Sequence, residues 1–175
     1  MKVQEQAHLD SFDKKVSQFN ARPTILQPIS AIGGFALGMV TAMLGPKAAM
    51  ACTEAVETSI GNHYNNQLRE LYNLQNRISE TNMQVDTEYD FSNPLQPLQP
   101  SGNDTTSTSP DPSAVESIVP EINTLMEDIK LFRDQELEHL DAAVDNGAHQ
   151  SILYNTISST IKTGCKLAIF ACEKI

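Results

Sequence analysis

The sequence predicts an all-α fold. Apolar residues recur in steps of three and four along most of the chain, no stretch reads as a strand, and the 175 residues can bury a sizeable single core. Apolar residues make up 40 % and charged residues 19 %, an ordinary globular balance. The net charge of -10 and a pI near 4.7 set against this chain any partner that presents phosphate backbones, so no nucleic acid is expected. Docking on anionic lipid by charge alone is disfavoured for the same reason, and any membrane affinity must be hydrophobic. Cys52, Cys165 and Cys172 show neither metal-site nor disulfide spacing and read as buried, reduced thiols.

The first element is "MKVQEQAHLDSFDKKVSQF", where Met1, Glu5, His8, Phe12, Val16 and Phe19 fall in steps of three and four. It reads as helix interior from its first residue, since no Ser, Thr, Asp or Asn cap precedes it. Arg22-Pro23 ends the segment, because a residue before proline is pushed out of the helical region. Between Arg22 and Lys47 the chain carries no charge over 24 residues. That length could cross a bilayer, but Pro23, Pro28, Pro46 and the glycines at 33, 34, 38 and 45 chop it. A hairpin that is buried or faces a membrane is expected in place of a span.

A long amphipathic helix follows, in which Met50, Glu57, Tyr64, Leu71 and Ile78 repeat every seven residues and form one inward line. From about residue 86 to 115 the composition shifts to Pro, Ser, Thr, Asp and Gln, with too little apolar surface to fold. This stretch is expected to be a disordered insertion within a single domain, 1–175. Helix returns near Val115 with Ile118, Ile122, Leu125, Ile129, Phe132, Glu136, His139 and Ala143 on one stripe. After a turn at Asn146-Gly147, a last helix carries Leu153, Ile157, Ile161 and Ala168.

Ionisable residues interrupt three of these apolar stripes: Glu5 with His8, Glu57, and Glu136 with His139. A bare buried carboxylate costs several kcal/mol, so such groups persist only when paired, protonated or bound to metal. Residues three apart on a helix face the same way, so each Glu-x-x-His aims an oxygen and a nitrogen at one point. Two such pairs, joined by single glutamates from other helices, can hold a dinuclear iron or manganese site in a four-helix bundle. The competing explanation is a pair of ordinary surface salt bridges, for instance His139 with Asp134 or Glu138. Glu54, one turn before Glu57, could serve in its place. Tyr64 lies two turns from Glu57, where it could relay a proton or electron or merely pack. His63 points elsewhere on its helix, and His149 reads as exposed.

At "AAMACTEAVETSIGNHYNNQLREL", "FRDQELEHLD" and "IKTGCKLAIFACEKI" the sequence resembles the mitochondrial demethoxyubiquinone hydroxylases of ubiquinone biosynthesis. "RPTILQPISAIGGFALGMVTAMLG" is similar to that family's hydrophobic hairpin, and "AVETSIGNHYN" has a fungal cast. The resemblance covers everything but the Pro/Ser-rich stretch. It implies a ferritin-like bundle with a membrane-facing apolar helix and a carboxylate-bridged centre of two iron ions. It implies a monooxygenase that hydroxylates the demethoxyubiquinone ring with O2 and electrons from NADH. It implies the metal ligands Glu5, His8, Glu57, Glu136 and His139, and a relay role for His63 and Tyr64.

The implied setting is the matrix face of the mitochondrial inner membrane, as a peripheral protein in a ubiquinone biosynthetic complex that includes a lipid-binding partner. The family's further ligand lies in an Asp-x-Ala-Gly-Glu stretch that these 175 residues do not contain. The resemblance therefore implies an N-terminally truncated member without the first bundle helix or the targeting sequence. Such a chain alone is expected to bind iron poorly and turn over little. Two other readings use the same ligands or the same relatives: a ferritin-like iron-binding module, and a non-catalytic subunit of the biosynthetic complex.

Overall fold

Every regular element among the described residues is a helix. The computed structural model describes residues 1–88 and 112–174, and side chains for 1–80 and 118–174. Helix α1 spans Lys2–Gln18, α2 Gln27–Met43, α3 Pro46–Glu88, α4 Pro112–Asp145 and α5 Tyr154–Lys174, with a short 3-10 turn at Ala148–Gln150 before α5. The chain is an all-α bundle. The expected insertion lies largely outside the described residues, between the end of α3 and the start of α4.

Local chemistry sets the helix ends. α1 stops before Arg22-Pro23, where Asn20 takes a left-handed φ of 49° and Ala21 N–H donates to Val16 O at 2.9 Å. Gly45, at φ 106°, turns the chain out of α2, and Pro46 opens α3, where its missing N–H costs nothing. Gly147, at φ 86°, makes the turn that Asn146-Gly147 predicts.

α2 corrects one expectation, since Pro28 and the glycines at 33, 34 and 38 do not interrupt it. It is one continuous helix of 17 residues, with Pro28 in the first turn, where its lack of an N–H is tolerated. No described helix is long and apolar enough to cross a membrane.

By its contacts the chain divides into two compact units, Met1–Asn65 with Lys130–Ile175, and Asn66–Ile129. In the second, Leu68, Ile122, Met126 and Ile129 are buried, and Gln75 Nε2 donates to Asn123 Oδ1 at 2.8 Å. The first unit has two seams. In one, Ala48, Ala51, Cys52 and Ala55 of α3 pack against Ile157 and Ile161 of α5, with Leu37 of α2 on the same cluster. Alanines allow the two backbones to approach closely. Thr41 of α2 shares a hydrogen bond with Cys52, whose thiol burial pushes up.

The line on α5 differs from the predicted one. Ile157 and Ile161 are buried and Cys165 continues them, whereas Leu153 precedes the helix and Ala168 is exposed. Cys172 is exposed as well. The other seam joins α1, α3 and α4 through rings: Phe12 stacks on Tyr64 at 6.2 Å and tilts against Phe132 at 5.4 Å, and His8 lies 4.3 Å from Phe132. The ionisable residues gather beside this second seam.

Candidate metal centre

Three helices each present one part of the cluster. α1 brings Glu5 and His8 on successive turns, α4 brings Glu136 and His139 in the same spacing, and α3 brings Glu57. One donor atom from each of Glu5, Glu57, Glu136 and His139 lies within 4.8 Å of all the others. His8 joins them, its Nδ1 being 3.2 Å from Glu136 Oε1 and 3.9 Å from Glu5 Oε2. His139 Nδ1 lies 2.9 Å from Glu5 Oε1 and 3.2 Å from Glu136 Oε2. Each imidazole thus reaches the glutamate of the opposite helix as well as its own. Glu136 is 1 % exposed, and His8, Glu57 and His139 are buried too. The Glu5 side chain is 46 % exposed, so the cluster is open on that side.

The electrostatics are those of carboxylates crowded out of water. Glu57 is pushed up to about 9, first by burial, then by a hydrogen bond with Glu136 and by the charges of Glu136 and Glu5. Burial also pushes the Tyr64 phenol up, and the carboxylates of Glu136, Glu5 and Glu57 add to it. That places Tyr64 within the field of the cluster.

Two donor atoms, His8 Nδ1 and Glu57 Oε2, are buried without a hydrogen-bond partner. His8 Nδ1 is close enough to Glu136 to interact by charge, but the geometry does not form a hydrogen bond. Buried lone pairs left unsatisfied are costly, and a cation that accepts them removes the cost. Three carboxylates and two imidazoles are also the donor types that hold a pair of divalent iron or manganese ions. The residues fit such a centre.

All five predicted ligands are therefore brought together. Glu54 is not among them: Lys162 Nζ of α5 donates to its Oε1 at 3.1 Å, and Thr58, one turn along α3, donates to the same oxygen at 3.0 Å. Asp134 pairs with Arg133 at 2.7 Å, not with His139. His63 is half-buried away from the cluster; burial pushes its imidazole down, and the opposing charge comes from Glu173 on α5. His149 is exposed and meets Tyr154 edge-on at 4.8 Å.

Two polar residues escaped the sequence reading. His8 Nε2 lies 2.6 Å from Gln135 Oε1, and His139 Nε2 lies 2.9 Å from Gln4 Oε1. The signal was present, because both pairs are Gln-Glu-x-x-His, "QEQAH" and "QELEH".

The sequence model of the ubiquinone biosynthesis protein COQ7 family matches residues 1–172. Among curated relatives, the chain is 37 % identical over 172 residues to the 5-demethoxyubiquinone hydroxylase, mitochondrial, of Saccharomyces cerevisiae. It is 36 % identical over 172 residues to the human NADPH-dependent 3-demethoxyubiquinone 3-hydroxylase, mitochondrial. It is 35 % identical over 175 residues to the 3-demethoxyubiquinol 3-hydroxylase of Rhodospirillum rubrum. These alignments cover 98 to 100 % of the chain, which spans about 60 % of the length of each relative. From a match that takes in all three helices of the cluster, it follows that the chain belongs to the family of the ubiquinone biosynthesis protein COQ7.

Proposed function

We propose that this chain supplies Glu5, His8, Glu57, Glu136 and His139 to a centre of two iron ions that serves in hydroxylating the demethoxyubiquinone ring, and that these 175 residues alone hold iron poorly. The observation that carries this reading is the convergence of two Glu-x-x-His pairs and Glu57 on one buried point. The relatives' names supply the substrate class. When bound, two adjacent ions supply Lewis acidity and redox capacity toward dioxygen. One oxygen atom enters a ring C–H bond, and the other leaves as water, with two electrons and one proton from a reduced nicotinamide nucleotide and the second proton from the medium. NADH is the form the sequence resemblance implies; the human relative's name specifies NADPH.

The chain's own residues have separable tasks. Glu136, the most buried carboxylate, lies between both imidazoles and would help hold the ions. The side at Glu5 is open to solvent, and dioxygen would enter there. Tyr64 keeps its phenolic proton beside the carboxylates and is placed to pass it inward. The sequence resemblance gives His63 a share in that relay; its imidazole is pushed down by burial, with Glu173 opposing.

A long-tailed quinone needs an apolar approach. α2 offers one, with Ile29, Ile32, Phe35, Met39, Val40 and Met43 all exposed. This surface favours the hydroxylase over an iron-storage module, which has no use for it. It also supports a peripheral place on the inner mitochondrial membrane, where a lipid-binding partner of the biosynthetic complex delivers substrate. The test uses the protein as the cell makes it, measuring iron content and 18O transfer from 18O2 into the quinone ring. Two irons per protein and one labelled oxygen are expected, and Glu136→Leu abolishes both. Undiminished iron and label in that variant would refute the reading.

A further inference from the structure

A layer of rings adjoins the layer of ligands. Phe12 follows His8 by four residues on α1, Phe132 precedes Glu136 by four on α4, and Tyr64 follows Glu57 by seven on α3. Each ring thus stands one or two helical turns from a ligand on its own helix, roughly 6 to 10 Å along the axis. Phe12 is the centre of the layer. Its ring stacks on Tyr64 at 6.2 Å, with 12° between the planes, and tilts against Phe132 at 5.4 Å. Phe132 in turn lies 4.3 Å from the imidazole of His8. Tyr64 and Phe132 are buried, and Phe12 is half-buried. Among the described residues no group hydrogen-bonds to the Tyr64 hydroxyl, so ring packing alone fixes where it stands. Rings at these separations attract each other beyond what their buried area supplies, and a stacked partner opposes any swing of the side chain out of its rotamer.

We propose that Phe12 is a positioning residue for Tyr64: wedged between Tyr64 and Phe132, it holds the phenol in one rotamer and so fixes its hydroxyl relative to the carboxylates. This rests on the relay role given to Tyr64 above, but the packing of the rings stands on its own contacts. Because Phe132 also packs on His8, one stack ties the placing of the phenol to that of a ligand ring. An aliphatic side chain at position 12 fills the space without offering a flat face, and the Tyr64 side chain is then free to swing.

The test takes the χ1 rotamer of Tyr64 from three-bond couplings to its Cγ, in the metal-free chain labelled with 13C,15N-tyrosine. The chain has four tyrosines, and Tyr64→Phe identifies the signals of this one. Wild type is expected to show a single rotamer. Phe12→Leu should show couplings averaged over rotamers, whereas Phe12→Tyr, which keeps the flat face, should match wild type. Phe12→Met, equally without a ring, serves where Phe12→Leu does not fold. In the protein as the cell makes it, Phe12→Leu should lower kcat by about tenfold or more with KM and iron content unchanged, and Phe12→Tyr should restore it. A single Tyr64 rotamer in Phe12→Leu, or a wild-type kcat beside averaged couplings, would overturn the proposal. Full kcat in Tyr64→Phe would instead count against the relay role, and the couplings would still decide whether Phe12 holds the ring.

Discussion

Burial among carboxylates pushes the Glu57 carboxyl from 4.5 to about 9 in the metal-free fold. Between those two values the folded chain keeps a proton that the unfolded chain has released. The stability this contributes is fully present below 4.5 and is lost as pH rises toward 9. Metal-free protein should therefore unfold at progressively lower urea between pH 5 and 9, and Glu57→Gln, neutral throughout, should flatten that slope. Metal binding must displace the same proton, so its affinity should rise over the same window. A pH-independent urea midpoint for the wild type would show that burial does not hold the proton.

The five ligands were legible because carboxylates and imidazoles on apolar stripes demand an explanation. The glutamines were legible only as a shared Gln-Glu-x-x-His pattern, since an amide is unremarkable at a half-buried position and its partner lies on another helix. The exposure of Glu5 was not legible either, because periodicity finds a face without saying how much of it is covered.

Among the elements, the seam of α3 against α5 depends on small side chains. Ala51 and Ala55 are completely buried, and Ala48 and Cys52 extend the same strip. Ala55→Leu adds three heavy atoms where backbones meet closely and should cost about 1–3 kcal/mol in urea unfolding. If the variant loses nothing, the seam has slack that its burial does not suggest.

α2 behaves in the opposite way. Its glycines predict breaks because each disfavours a helix by ~1 kcal/mol against alanine. The helix continues through them, satisfying its own backbone groups where few tertiary contacts exist. A Cβ added at Gly34 meets nothing within 4 Å, and its φ is not in the left-handed region. Gly34→Ala should thus stabilise α2 by up to ~1 kcal/mol, visible as slower amide exchange along that helix. The helices themselves were readable from their periods. The shift of α5's buried line from Ala168 to Cys165 was not, because a stripe of mixed small residues leaves its facing angle to the partner that packs on it.

At the scale of the molecule, a strongly acidic chain exposes an apolar flank. α2 and α5 lie side by side in opposite directions within the first unit: Thr24 Oγ1, just before α2, donates to Cys172 Sγ near the end of α5 at 3.7 Å. At the other end, Leu44 lines one cavity with Ile152 and Leu153. On α2, Ile32 is 72 % and Phe35 74 % exposed, and Leu167 and Phe170 of α5 are exposed as well. With a net charge of -10, attraction to anionic headgroups cannot supply the affinity, and apolar burial must.

Full burial of one such side chain contributes ~2 kcal/mol, roughly a thirtyfold change in partitioning. The chain should therefore float with zwitterionic vesicles as well as with anionic ones, and lowering the salt should not strengthen its binding. Ile32→Asp and Phe35→Asp should each reduce flotation by at least tenfold while leaving the metal cluster intact, since neither residue belongs to it. Binding that needs anionic lipid and fades with salt would instead place the contact on basic residues. The apolar flank would then have no part in bringing a quinone to the centre.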